Sequence, residues 1–208
     1  MIADDIRICF VGDSFVNGTG DETALGWVGR VCALAYAHGF PITSYNLGIR
    51  RNTSADILER WENECSLRLP AGCDNRVVLS CGVNDSMLED GVLRVAPEQS
   101  RANVRAILRA ASRYPLLMVG PPPMPEDAQN ERISALSRAF ADEAAALGVP
   151  FIELFSPLVS EAAYKQEVAS NDGAHPRSSG YTKIANIIAS SPNWWFQALL
   201  KGCAPHKI

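Results

Sequence analysis

Residues 6–18 read IRICFVGDSFVNG, an apolar run that stops at a Gly-Asp-Ser step. Ile6 to Val11 is nearly continuous in its hydrophobicity, which predicts a strand buried on both faces. Gly12, Asp13 and Ser14 then predict a sharp turn into a helix. A serine delivered by such a turn sits where a ligand can reach it, while the strand behind holds it in place.

The rest of the chain repeats this pattern. Further strands are predicted at Ile42–Leu47, Arg76–Cys81, Leu116–Gly120 and Pro150–Leu154, with helical spacing between them over Leu25–His38, Ser54–Leu67, Pro97–Arg113 and Gln129–Leu147. Strand and helix alternate because a parallel strand needs a helix-length return path. The expected class is therefore α/β, a mostly parallel sheet with helices on both faces in three α/β/α layers. Ser178–Ala189 reads as a closing helix, and Pro192 to Trp195 as the start of a short terminal one. Leu158–Ala169 reads either as an amphipathic flap or as plain surface packing. Pro121 to Pro125, PPPMP, predicts a stiff extended loop. With no repeat or linker, residues 1–208 are expected to form one domain.

Composition narrows the function classes. A chain that is 47% hydrophobic and 20% charged with a net charge of -4 lacks the basic footprint of a nucleic-acid or anionic-membrane binder. No apolar run is long enough for a transmembrane segment, and Met1-Ile2-Ala3-Asp4-Asp5 is acidic where a signal peptide is basic, so the protein is expected in the cytoplasm. The six cysteines form no CxxC pair and read as free thiols, with Cys65 and Cys73 able to pair only in an exported protein. Neither a metal nor a cofactor is expected. His and Cys lack ligand spacing, there is no P-loop lysine or G-x-G-x-x-G, and Ser156-Pro157 follows the fifth strand where a phospho-receiver needs lysine.

In an open parallel sheet the site lies beyond the carboxyl ends of the strands. Here those ends are Gly12-Asp13-Ser14, Asn46-Leu47-Gly48, Gly82-Val83-Asn84-Asp85 and Gly120-Pro121-Pro122. A serine hydroxyl needs a base, and the base needs a partner that fixes its tautomer. Of three histidines, His38 ends a helix and His206 lies in the tail, whereas His175 follows Asp172 by three residues in NDGAHP. Acyl transfer also needs oxyanion donors, for which Gly48 can offer an unobstructed N–H, Asn84 a side-chain amide and Ser14 its own N–H. Taken singly, Gly12-Asp13-Ser14 also reads as a turn in which serine caps a helix, Asn84-Asp85 as a turn, and Asp172 to His175 as a loop. Their shared rim is what favours chemistry.

Four blocks in order, GDSFVNG, NLGIRRNTS, GVND and DGAHP, resemble those of the SGNH hydrolases, also called GDSL lipases and esterases, and the likeness covers residues 6 to 190. The resemblance implies a flavodoxin-like five-stranded parallel sheet of order 2-1-3-4-5. It implies hydrolysis of small-molecule esters or thioesters, without metal, through an acyl-enzyme. Carried over by position, Ser14 is the nucleophile, His175 the general base and acid, and Asp172 its orienting partner. Ser14, Gly48 and Asn84 form the oxyanion hole. Where similar proteins have a second glycine, this chain has Arg51, expected to narrow or polarise the acyl side. Trp27 and Pro122 are expected to line the cleft with it. Two other readings stand beside a lipid esterase: a carbohydrate O-acetylesterase, and a non-catalytic acyl- or glycan-binding module on the same fold.

Overall fold

The first strand, β1 (Ile6–Gly12), is followed by the single helical turn α1 (Ser14–Asn17), the helix α2 (Gly26–Ala37), β2 (Ile42–Gly48) and α3 (Ser54–Ser66). Next come β3 (Asp74–Ser80), a small hairpin of β4 (Leu88–Glu89) and β5 (Val92–Leu93), α4 (Pro97–Ala111) and β6 (Leu116–Val119). The chain continues through α5 (Asp127–Ala146), β7 (Phe151–Ile152), α6 (Phe155–Val159), α7 (Ala162–Ser170) and α8 (Ser178–Ser190). These elements come from a computed structural model that describes residues 5–196. Among the described residues five strands form one parallel sheet in the order β2-β1-β3-β6-β7, which is the expected 2-1-3-4-5 once the separate antiparallel hairpin is set aside.

Alternate residues of β1 face opposite layers, and both layers are apolar. Ile8 and Phe10 pack with Trp27, Val31, Tyr181 and Ile184, while Cys9 and Val11 pack with Ile57, Trp61, Leu79 and Leu108. All four of these β1 side chains are at most 1% exposed, which explains why the run carries no polar alternation. The helices start where local chemistry dictates. Thr53 accepts from the Asp56 N–H while the Asp56 carboxylate accepts from the Thr53 N–H, a capping box for α3, and Pro97 opens α4 at a position that needs no donor.

Several boundaries differ from expectation. The fifth strand shrinks from Pro150–Leu154 to Phe151–Ile152, because only those residues find partners on the short β6. The third starts two residues early, at Asp74, where β1 still offers a neighbour. The 158–169 segment divides into α6 and α7 at Ser160 and Glu161. Pro192 to Phe196 form turns rather than a helix, and residues 197–208, His206 among them, lie outside the described residues. No helix among the described residues is long and apolar enough to cross a membrane. Cys65 is buried and unbonded, as are Cys9 and Cys81, while Cys73 is partly exposed and also free.

The register sets up the site. Gly12 stands opposite Gly48 on one side and Ser80 on the other, so the first three strands end level with one another. Their loops meet on one rim.

Candidate active site

The turn after β1 is held by contacts that leave no room for other residues. A Cβ on Gly12 would lie 2.2 Å from the Ser80 carbonyl oxygen and 2.4 Å from the Val16 side chain. Asp13 then caps α1, its carboxylate accepting from the Phe15 N–H at 2.9 Å. Ser14 is therefore the first residue of a turn wedged against the sheet, and its N–H has no acceptor among the described residues.

The closing end of the chain comes to meet it. Ser178, at the start of α8, donates through its N–H to Glu22 at 3.0 Å, and the Tyr181 hydroxyl donates to the Thr19 carbonyl at 2.7 Å. Asn171 donates to the carbonyls of Gly20 and His175 at 3.3 and 3.0 Å. These bonds seat the loop before α8 on the loop after α1. His175 Nε2 lies 2.7 Å from Ser14 Oγ, and His175 Nδ1 lies 2.8 Å from Asp172 Oδ2. The other Asp172 oxygen accepts from the N–H groups of Ala174 and His175 at 3.0 and 2.8 Å.

These contacts fix the electrostatics. Burial pushes the Asp172 carboxyl up, but the imidazole hydrogen bond and the two backbone donors outweigh it and hold its pKa at about 2. An anionic Asp172 accepts only, so the proton of a neutral His175 belongs on Nδ1 and the Nε2 lone pair faces Ser14. Behind the serine, burial and the neighbouring Asp85 charge raise Asp13 to about 7, against the Phe15 N–H, which lowers it. Cys81, buried beside both acids, is pushed far up and stays a thiol.

Asn84, 6% exposed, sits in the loop after β3 with its amide donating to the Asn52 carbonyl at 2.9 Å and reaching Asp13 only at 3.4 Å. Gly48 has a different place from the one its motif suggested. Its N–H donates to the Asn46 side chain at 3.0 Å, and a Cβ there would lie 2.2 Å from the Asn17 nitrogen. Gly48 lets α1 approach β2; it does not line the cleft.

The cleft, of about 280 Å³, is open above Ser14 and His175, with Phe15, Val83, Met87 and Met124 as its apolar walls. Arg51 lines it as expected, together with Arg50. Trp27 does not. It is 1% exposed in the core, edge-on to Phe10 with ring centroids 5.6 Å apart, because the first turn of α2 points inward. Pro122 is buried and also absent from the lining; Met124 takes that position, clamped by Asn130, which bonds its N–H and carbonyl at 2.8 and 2.7 Å.

The family model described as GDSL-like lipase/acylhydrolase matches residues 10–183, spanning every one of these site residues. The chain belongs to that family. This GDSL hydrolase resembles the lipase/acylhydrolase of Enterococcus faecalis with a TM-score of 0.74 at 22% identity, over 98% of this chain and 100% of that one. It resembles a variant of an acetyl xylan esterase of Geobacillus stearothermophilus with a TM-score of 0.77 at 21% identity, over 94% and 97% of the two chains. The psychrotrophic esterase EstA of a Pseudoalteromonas species gives 0.70 at 19% identity, over 92% and 98%. No curated protein matches the sequence.

Beyond the residues expected at the site, the cleft of the GDSL hydrolase is lined by Arg50, Phe15, Met87 and Met124. Phe15 lies against the imidazole with ring centroids 5.1 Å apart. As the neighbour of the serine it was within reach of sequence reasoning. Met87 and Met124 carried no such signal, since a loop's inward face follows no period.

Proposed function

We propose that this ester hydrolase works through a covalent acyl-enzyme, with Ser14 as nucleophile, His175 as general base and acid, and Asp172 as the anion that orients the imidazole. The observation that carries the reading is the continuous contact from Asp172 through His175 to Ser14, at 2.8 and 2.7 Å. His175 Nε2 takes the Ser14 proton as Oγ attacks the ester carbonyl, then returns it to the departing alkoxide. Water repeats both steps on the acyl group and frees Ser14.

Two donors support the tetrahedral intermediate: the free N–H of Ser14 and the Asn84 amide, whose second hydrogen is engaged only by the long contact to Asp13. Gly48 is left out, since its N–H is already bonded to Asn46. We read the chain as one catalytic domain, because the reacting groups come from residues 14 and 175. Five unpaired cysteines among the described residues support a reducing, cytoplasmic setting. A carboxylic ester with a short acyl group fits the cleft volume.

The test is hydrolysis of p-nitrophenyl acetate and butyrate by the full chain and by Ser14→Ala. Turnover lost in a variant with unchanged circular dichroism supports the nucleophile. Equal turnover by both proteins rejects it, and ligand binding without turnover by either indicates a non-catalytic module.

A further inference from the structure

We infer that the preferred substrate is an ester that carries a carboxylate or phosphate, recognised by Arg50 and Arg51 at the edge of the cleft. This rests on the serine-hydrolase reading of the same site. Arg50 is exposed, lines the cleft with Ser14 and His175, and makes no ion pair or side-chain hydrogen bond among the described residues. Arg51 lines it too, and its guanidinium is held by Glu89 of the β4–β5 hairpin at 2.6 Å. Glu89 also contacts Arg94 at 3.3 Å, so one carboxylate is shared between two guanidiniums. The acids around Ser14 do not balance this charge. Asp172 is the one carboxylate among the lining residues and is engaged by His175, while Asp13 and Asp85 are fully covered behind the turn.

The backbone points the same way. Arg51 has φ +66°, a left-handed conformation that glycine adopts freely and an arginine adopts at a cost. The residue with the least tolerant backbone in the loop is thus also one that lines the cleft. The loop is next to the reacting carbonyl's expected position, since the Asn52 carbonyl just beyond Arg51 accepts from the Asn84 amide at 2.9 Å. A guanidinium there can pair with an anion on the substrate and adds positive potential beside the developing oxyanion. The chain as a whole is acidic, with net charge -4, so the attraction is local and short in range.

The experiment compares matched esters at low salt. Mono-p-nitrophenyl adipate is set against methyl p-nitrophenyl adipate, and butyryl glycerol 3-phosphate against monobutyrin. The first pair reads a carboxylate on the acyl side, the second a phosphate on the alcohol side. The expected result is kcat/KM about fivefold higher for the anion in at least one pair, the scale of a partly exposed ion pair. That ratio should fall toward one in Arg50→Gln, and in the unmodified protein at 0.5 M NaCl, where charges are screened within a few ångströms. Ratios of one or less in both pairs overturn the inference while leaving ester hydrolysis intact. So does a ratio that persists in the Arg50→Gln, Arg51→Gln double variant. Absence of turnover for all four esters overturns the hydrolase reading and this inference with it.

Discussion

Gly48→Ala should damage the enzyme from a position outside the cleft. The added methyl carbon would stand 2.2 Å from the Asn17 nitrogen, 2.6 Å from the Asp13 oxygen and 2.7 Å from the Asn17 Cα, all backbone atoms. Ordinary contact begins at 3.4 Å, so β2 and the turn bearing Ser14 must part by about 1.2 Å. Rotamer changes cannot relieve a clash with backbone. Overpacking of this kind costs about 1–3 kcal/mol. At about 2–4 °C per kcal/mol for a chain of this size, the melting temperature should fall by about 2–12 °C. Displacing Ser14 by about 1 Å from its 2.7 Å contact with His175 should lower kcat by about a hundredfold. Alanine keeps its own N–H, so the loss reports the wedge and not a missing donor. The assays are p-nitrophenyl butyrate turnover and calorimetric melting of the same preparation. Wild-type values for both would refute this account of how the turn is held.

Other consequences arise from the same contacts. Asp172→Asn should lower kcat by about a thousandfold or more with little change in KM, because an amide no longer fixes the proton on Nδ1; steady-state kinetics decide it. Asn84→Ala should lower kcat by about a hundredfold through loss of an oxyanion donor, read in the same assay. Asp13 is held at about 7 in the folded protein, above its ordinary carboxyl value, so its contribution to stability is full below about pH 4 and is lost as pH rises toward 7. Denaturant titrations should therefore show Asp13→Asn, which stays neutral, gaining on the wild type between pH 4 and 7; a constant difference would exclude the shift. Chain-length profiles with p-nitrophenyl esters should fall between butyrate and laurate, since the cleft of about 280 Å³ must also seat the ester group and its leaving group.

The sheet was legible because β1 and its neighbours are covered on both sides, which leaves a continuous apolar run in the sequence. The β4–β5 hairpin was not, since two strands of two residues, Leu88–Glu89 and Val92–Leu93, are too short for any alternation to register. That Ser14, Asp172 and His175 would share one rim could be read from strand-end position and a three-residue spacing, and the structure brings their side chains into contact. Trp27 was misplaced because position after the serine says nothing about which way α2 turns; its first turn faces Phe10. Gly48 was assigned a donor's part because its motif marks a glycine at a rim, while the need for glycine there comes from the backbone of α1, visible only in three dimensions. Arg50 went unweighed for the same reason: an exposed cation in a loop reads as solvated until the loop is seen to border a cleft.

Covalent trapping reads the nucleophile itself. The full chain is treated with a fluorophosphonate, and the modified peptide is sequenced by mass spectrometry. A single adduct on Ser14, absent from His175→Ala, is the predicted result; an adduct on another residue, or ester turnover that continues with Ser14 unmodified, would contradict it.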